Sequence, residues 1–228
     1  MEEVYMFTKG NSLLLKIKDP GSFFTHYVAM ILSIIAAIPL FYRVAQHPSP
    51  ERILAFGIFA LSIVLLYAAS STYHLIDISP KVNDTLKKID HMMIYMLIAG
   101  SYTPICAIAL GDRTGWLLLL VVWILSAIGM AVNIIYIHTP KWLNALIYIA
   151  LGWLCVTAIM KIRASLTDAE FSLLFWGGVI YTIGGIIYAL KLPVFERFPK
   201  YFRNHEIFHC FVIAGSMCHY GVMILLAG

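Results

Sequence analysis

Residues 115–137 read GWLLLLVVWILSAIGMAVNIIYI, with no Asp, Glu, Lys or Arg among them. A helix needs about 20 apolar residues to cross the hydrocarbon core of a bilayer, and this stretch is long enough. Six more stretches share its character: Ser22–Tyr42, Ile53–Leu75, Ile89–Leu110, Trp142–Met160, Phe171–Leu190 and His205–Ala227. Only the third and seventh in chain order carry an acid, Asp90 and Glu206, each near its start. Of the 228 residues, 61% are hydrophobic and 12% charged, with a mean hydropathy of +0.85. Soluble domains are roughly 45–50% apolar and about 25% charged. A water-soluble globule cannot hide this much apolar surface, and disorder needs the opposite composition. The expected fold is an all-α integral membrane protein, a bundle of seven transmembrane helices. Residues 1–21 are expected to form a cytoplasmic segment and residues 22–228 the membrane domain.

Lys and Arg in the connections set orientation. The N-terminus and the second, fourth and sixth loops hold eleven: Lys9, Lys16, Lys18, Lys81, Lys87, Lys88, Lys141, Lys191, Arg197, Lys200 and Arg203. The other side holds five: Arg43, Arg52, Arg113, Lys161 and Arg163. This places the N-terminus inside and the C-terminus outside. Glu2 and Glu3 stand where a signal peptide needs basic residues, and the apolar patch 13–15 is cut short by Lys16 and Lys18. The net charge of +4 is scattered through loops, so nucleic acid is not an expected partner. Cys106, Cys155, Cys210 and Cys218 lie in apolar runs without C-x-x-C spacing and read as buried free thiols. Pro104 is expected to bend the third helix, and the glycines at 177, 178, 184 and 185 to let the sixth approach its neighbours.

Polar groups inside spans are costly and usually functional. With this orientation, the end of the second span (Ser70, His74), the start of the third (Asp90, His91) and the start of the seventh (His205, His209) share one depth at the cytoplasmic side. His205 and His209 are four apart and stack on one helix face. With His74 they make three neutral imidazoles, a set that suits zinc with water as fourth ligand. Each residue also has a plainer reading. His74 can be a hydrogen-bonded core histidine, Asp90 can favour its helix N-terminus, and Ser70 can bond its own helix. His26 is a reserve ligand. His219 lies about 15 Å further along the seventh helix and is too far to share the metal. His91 points about 100° away from Asp90, and His47 and His138 fall in connections.

Residues 205–209 also spell H-E-x-x-H, the metalloprotease signature. The longer form would need Gly at Val212 and His at Gly215, and no Asp or Glu follows His209 to complete the ligand set. Glu206 sits about 100° off the chelating face, so it reads as a carboxylate at a helix start.

Together Ser70-x-x-x-His74, Asp90, His205-x-x-x-His209, and Thr25-His26 in the first span resemble the hemolysin III family, the bacterial branch of the progestin and adipoQ receptor superfamily. The resemblance implies seven helices with the N-terminus inside, zinc on His74, His205 and His209, Asp90 near a zinc-bound water and Ser70 beside the site. It implies a multi-pass protein of the bacterial inner membrane. More distantly the pattern is similar to alkaline ceramidases, which hydrolyse a lipid amide. The first functional expectation is a zinc hydrolase acting on a membrane lipid in lipid homeostasis, with a fatty-acyl substrate or ligand and with Asp90 and Ser70 as catalytic residues. The second is a non-catalytic homeostasis sensor, receptor-like, with structural zinc. The third, a pore-forming hemolysin, lacks the charged or polar lumen that conduction needs.

Overall fold

The computed structural model describes residues 17–136 and 139–228. Ile137 and His138 lie outside the described residues, as do Lys9 and Lys16 of the charge count. Among the described residues there are helices and no strands. They are α1 (Pro20–Val44), α2 (Pro50–Leu75), α3 (Pro80–Pro104), α4 (Arg113–Ile135), α5 (Lys141–Gly152), α6 (Ile159–Ser165), α7 (Asp168–Leu190) and α8 (Asn204–Leu226). A π-helical turn, Ile105–Leu110, prolongs α3, and a 3-10 segment, Trp153–Ala158, joins α5 to α6. Seven helical spans are thus long and apolar enough to cross a membrane, the third being Pro80–Leu110 and the fifth Lys141–Ser165.

The ends follow from local chemistry. Pro20, Pro50 and Pro80 open their helices, where a missing N–H costs nothing and φ is already set. Ser49, Ser79 and Asp112 cap α2, α3 and α4 by accepting from backbone N–H groups one turn on. Thr167 and Glu170 form a capping box at the start of α7. Gly111, at φ 59°, closes the third span in the left-handed conformation that glycine tolerates best.

Two spans differ from the sequence expectation. The third begins at Pro80 rather than Ile89, so its first turns are amphipathic and carry Lys81, Asp84, Lys87 and Lys88. Asp90 is therefore the eleventh residue of the helix, not a residue of its first turn, and the dipole reading of Asp90 falls away. The fifth span is broken near its middle. The Tyr102 hydroxyl donates to the Gly152 carbonyl at 2.7 Å and accepts from the Cys155 N–H at 2.8 Å, satisfying backbone groups that the break frees. Pro104 does interrupt its helix, as expected, by handing over to the π-helical turn.

The bundle turns its apolar surface outward. On α4, Leu120, Ile124 and Ile128 are each at least half exposed, whereas Val122 and Ser126 are fully buried. Such a face is stable in lipid and an aggregation hazard in water. All four cysteines are free thiols, as expected, but only Cys106 is fully buried; Cys155, Cys210 and Cys218 are partly exposed. In the bundle α1 packs on α2 and α8, α7 on α8, and α3 on α2 and α4. The ring of spans closes through α1 and α8, which sets the start of α8 beside the end of α2.

Candidate metal centre

The chain just before α1 is tied to the end of α2 by backbone bonds. Asp19 N–H donates to the His74 carbonyl at 2.9 Å, and Lys18 N–H to that of Leu75 at 3.4 Å. The same contact brings the Asp19 carboxylate to 3.0 Å from His74 Nδ1. A carboxylate only accepts, so Nδ1 carries the proton and Nε2 is left with a lone pair. That Nε2 lies 3.1 Å from His205 Nε2. The hydrogen bond from His74 holds the Asp19 carboxyl below its ordinary range; partial burial opposes this, while the charge of Lys18 reinforces it.

His209 is held in the same fashion. Its Nδ1 is 3.1 Å from the Thr25 hydroxyl. That hydroxyl has one proton and directs it at backbone carbonyls, Ser22 at 2.9 Å or Gly21 at 3.0 Å. It therefore accepts from His209 Nδ1–H, which again frees Nε2 as a donor of electrons. His74, His205 and His209 each offer a ring nitrogen, and the three lie within 4.8 Å of one another. A tetrahedral zinc with bonds of 2.0–2.1 Å would separate its ligand nitrogens by about 3.3–3.4 Å. The donor set, the spacing and the partners behind His74 and His209 fit a metal ion, since ligating histidines usually have their second nitrogen held in this way; His205 Nδ1 is buried without a partner.

The other expected residues stand around this group. Ser70 and Asp90 both line the cavity that opens beside the histidines, Ser70 almost fully buried. Neither belongs to the metal-competent group, and Asp90 Oδ2 lies 3.7 Å from His91 Nδ1. His26 is not in the group either. Its ring stacks on His209 at a centroid distance of 3.6 Å and 7°, with both nitrogens buried and unpartnered. His219 packs edge-on against Tyr181, away from the metal-competent group. Glu206 accepts from the Ser22 hydroxyl at 2.5 Å and from the Arg203 N–H at 2.8 Å. Its carboxylate is thus used to fasten the start of α8 to α1, in keeping with a helix-start role.

Sequence reasoning missed Asp19, and it gave Thr25 only as part of the Thr25-His26 mark of the resemblance, without a role. Thr25 stands next to His26 on α1, one helix away from the histidine it orients. Asp19 reads as the residue ahead of a Pro-initiated helix, and only the pairing of α1 with α2 shows its second use.

The cavity has a volume of about 190 Å³ and penetrates the bundle from the histidine end to His219. One water needs about 10–15 Å³ on this measure, so there is room for on the order of ten waters or a length of hydrocarbon chain. Its walls include Leu66, Ile94, Ile98, Trp153, Phe171 and Val212 and are mostly apolar.

Comparison with known proteins identifies the relatives of the chain. Residues 15–220 match the family model described as Haemolysin-III related. Hemolysin-3 of Bacillus cereus is 38% identical over 192 residues, covering 84% of each chain. A Hemolysin-3 homolog of Bacillus subtilis is also 38% identical, over 84% of this chain and 86% of its own. An adiponectin receptor protein of Drosophila melanogaster is 26% identical over 89% of this chain and 49% of its own length. The chain belongs to the haemolysin-III-related family, within the progestin and adipoQ receptor superfamily.

Proposed function

We propose that the chain is a zinc-dependent hydrolase of membrane lipids, working at the cytoplasmic side of a bacterial inner membrane. The observation that carries this reading is the convergence of three imidazole nitrogens beside an apolar cavity that His205, His209, Asp90 and Ser70 line. Bound there, zinc would lower the pKa of a coordinated water toward ~7 and polarise a carbonyl. His74, His205 and His209 would hold it, with Asp19 and Thr25 fixing two of the rings. Asp90 would accept a proton within the cavity. The Ser70 hydroxyl would donate to an oxyanion developing on the acyl carbon. The apolar wall would take the acyl chain and exclude bulk water from it. The cytoplasmic assignment rests on eleven of sixteen basic residues falling on one side. A topology reporter fused after Gly228 should then read extracytoplasmic.

The test is metal analysis of the purified protein followed by incubation with a mixed lipid extract and mass spectrometry of released fatty acids. About one zinc per chain and fatty-acid release that Asp90→Ala abolishes without loss of zinc would support the reading. Zinc without release, in wild type as in variant, would instead support a receptor-like protein with structural zinc. The name of the Drosophila relative, a receptor, favours that second reading.

A further inference from the structure

Serine and threonine hydroxyls inside a helix commonly turn back onto their own carbonyls one turn earlier. Ser62, Ser71, Thr72, Thr103 and Thr182 do so, donating to backbone carbonyls at 2.7–3.2 Å. Two serines in the cavity wall depart from this habit, Ser70 and Ser101. Among the described residues neither hydroxyl has a hydrogen-bond partner. Neither is sealed in the interior, as the unpartnered Ser126 hydroxyl is, and both lie open to the cavity. Ser70 is taken up in the proposed chemistry beside the histidines. Ser101 is not.

Ser101 stands deep in the bundle. It follows Asp90 by eleven residues on α3, about 16 Å along the helix axis. His219 follows His209 by ten residues on α8, so Ser101 and His219 share a depth at the inner end of the cavity. The other polar groups of the deeper wall are engaged or covered. Tyr102 donates to the Gly152 carbonyl at 2.7 Å, the Tyr181 hydroxyl pairs with that of Ser216 at 2.8 Å, and both His219 nitrogens are buried. Gly152, held by Tyr102, also lines the cavity, and a Cβ built on it would meet nothing within 4 Å. Open space and a free hydroxyl therefore occur together at this depth.

A hydroxyl in that position discriminates between chains. Bare methylenes lying past Ser101 would displace its water and offer nothing in return, and a buried polar group left unpaired costs more than a made bond gains. A chain that carries its own hydroxyl there can both donate and accept. An extended chain advances roughly 1.2 Å per bond. A carbonyl held level with Asp90 would then bring a hydroxyl about a dozen bonds away, on the order of 16 Å, level with Ser101.

We propose that Ser101 is a specificity residue that selects an acyl chain bearing a hydroxyl near its middle. This rests on the reading of the cavity as a lipid site and narrows its occupant to mid-chain hydroxyacyl lipids. The carbonyl end stays beside the histidines, the chain runs between the apolar walls, and its hydroxyl bonds to Ser101. A hydroxyl next to the carbonyl end is at the wrong depth and gains nothing from Ser101.

The experiment uses the full chain in a neutral detergent and three free acids as probes, read by displacement of a fluorescent fatty acid. They are oleate, ricinoleate, which is the same chain with one mid-chain hydroxyl, and oleate hydroxylated beside its carboxylate. Ricinoleate should bind about tenfold tighter than either of the others. Ser101→Ala should bring the three together by weakening ricinoleate while oleate holds or tightens, a crossing that a folding defect cannot produce. Thr103→Val removes a neighbouring hydroxyl that already serves its own helix, and should leave the ratio as in wild type. Equal binding of oleate and ricinoleate by wild type, which would mean that Ser101 holds water only, overturns the proposal. So does a ricinoleate preference that survives Ser101→Ala. Failure of all three acids to bind would overturn the lipid reading of the cavity, and this inference with it. A ricinoleate preference without fatty-acid release from any lipid would sink the hydrolase reading and leave the role of Ser101 standing; release from plain and hydroxylated chains alike, with equal binding, would do the reverse.

Discussion

His74 and His209 differ from His26 and His219 in what meets their second nitrogen. Behind His74 stands Asp19 and behind His209 stands Thr25, each fixing a proton on Nδ1 and turning Nε2 toward the group. His26 and His219, also buried and lining the same cavity, have no hydrogen-bond partner on either nitrogen. Among the three residues of the metal-competent group His205 alone has a buried Nδ1 without a partner, so two rings are oriented from behind and the third is placed by its helix, one turn before His209. Burial and residue type are shared by the two pairs; what separates them is the neighbour on the first span.

The largest effect that can test this contrast is loss of a ligand. His205→Ala or His209→Ala should abolish metal co-purification, a greater loss than the roughly 10–100-fold typical of an orienting partner. His219→Ala should retain the metal of wild type. Equal zinc content in all three variants, measured by elemental analysis, would erase the distinction between the pairs.

Next in size are the partners themselves. Asp19→Ala should weaken metal binding by roughly 10–100-fold, with Asp19→Asn recovering part of it because the amide oxygen still accepts from Nδ1. Thr25→Val should do the same to a lesser degree, since a neutral hydroxyl orients less strongly than a carboxylate, and Thr25→Ser should restore binding. Competition against a metal-sensitive dye reads both.

A smaller effect tests how α1 is seated. A methyl at Gly21 would meet the Tyr201 carbonyl oxygen at 1.8 Å and Glu206 Cγ at 2.9 Å, so Gly21→Ala forces the start of α1 away from α8. The cost should be about 1–3 kcal/mol in stability, visible as a lowered thermal midpoint and a loosened Thr25–His209 contact. Gly152→Ala, where an added methyl meets nothing within 4 Å, is the matched control.

The contrast also marks what could be read from the sequence. Apolar runs such as 115–137 have the length and purity that only lipid explains, so all seven spans were legible. The i, i+4 spacing of His205 and His209 and their shared depth with His74 were legible because helix geometry is fixed. Asp90 was assigned to a helix start because the apolar run begins at Ile89, whereas Ser79 and Pro80 supply a cap and a first turn nine residues earlier. Apolar runs report where lipid begins, and caps report where the helix begins. The orienting roles of Asp19 and Thr25 stayed hidden because nothing local distinguishes an orienting residue from a helix-capping or helix-facing one; such a role exists only where two spans meet.

The smallest expected effect is also the most searching. His26 stacks flat on His209 at 3.6 Å and contributes no hydrogen bond. If stacking is its whole contribution, His26→Phe keeps the aromatic plane, removes two unsatisfied buried nitrogens and should be neutral or slightly stabilising. Metal content should not change. His26→Ala removes the plane as well, opens a gap beside His209 and should lower the thermal midpoint, with a modest fall in metal affinity as the ring gains freedom. The pair of variants separates shape from coordination. Should His26→Phe lose metal as fully as His209→Ala does, then His26 turns in to bind when the ion arrives, and the lack of an orienting partner would mark a mobile ligand rather than a bystander.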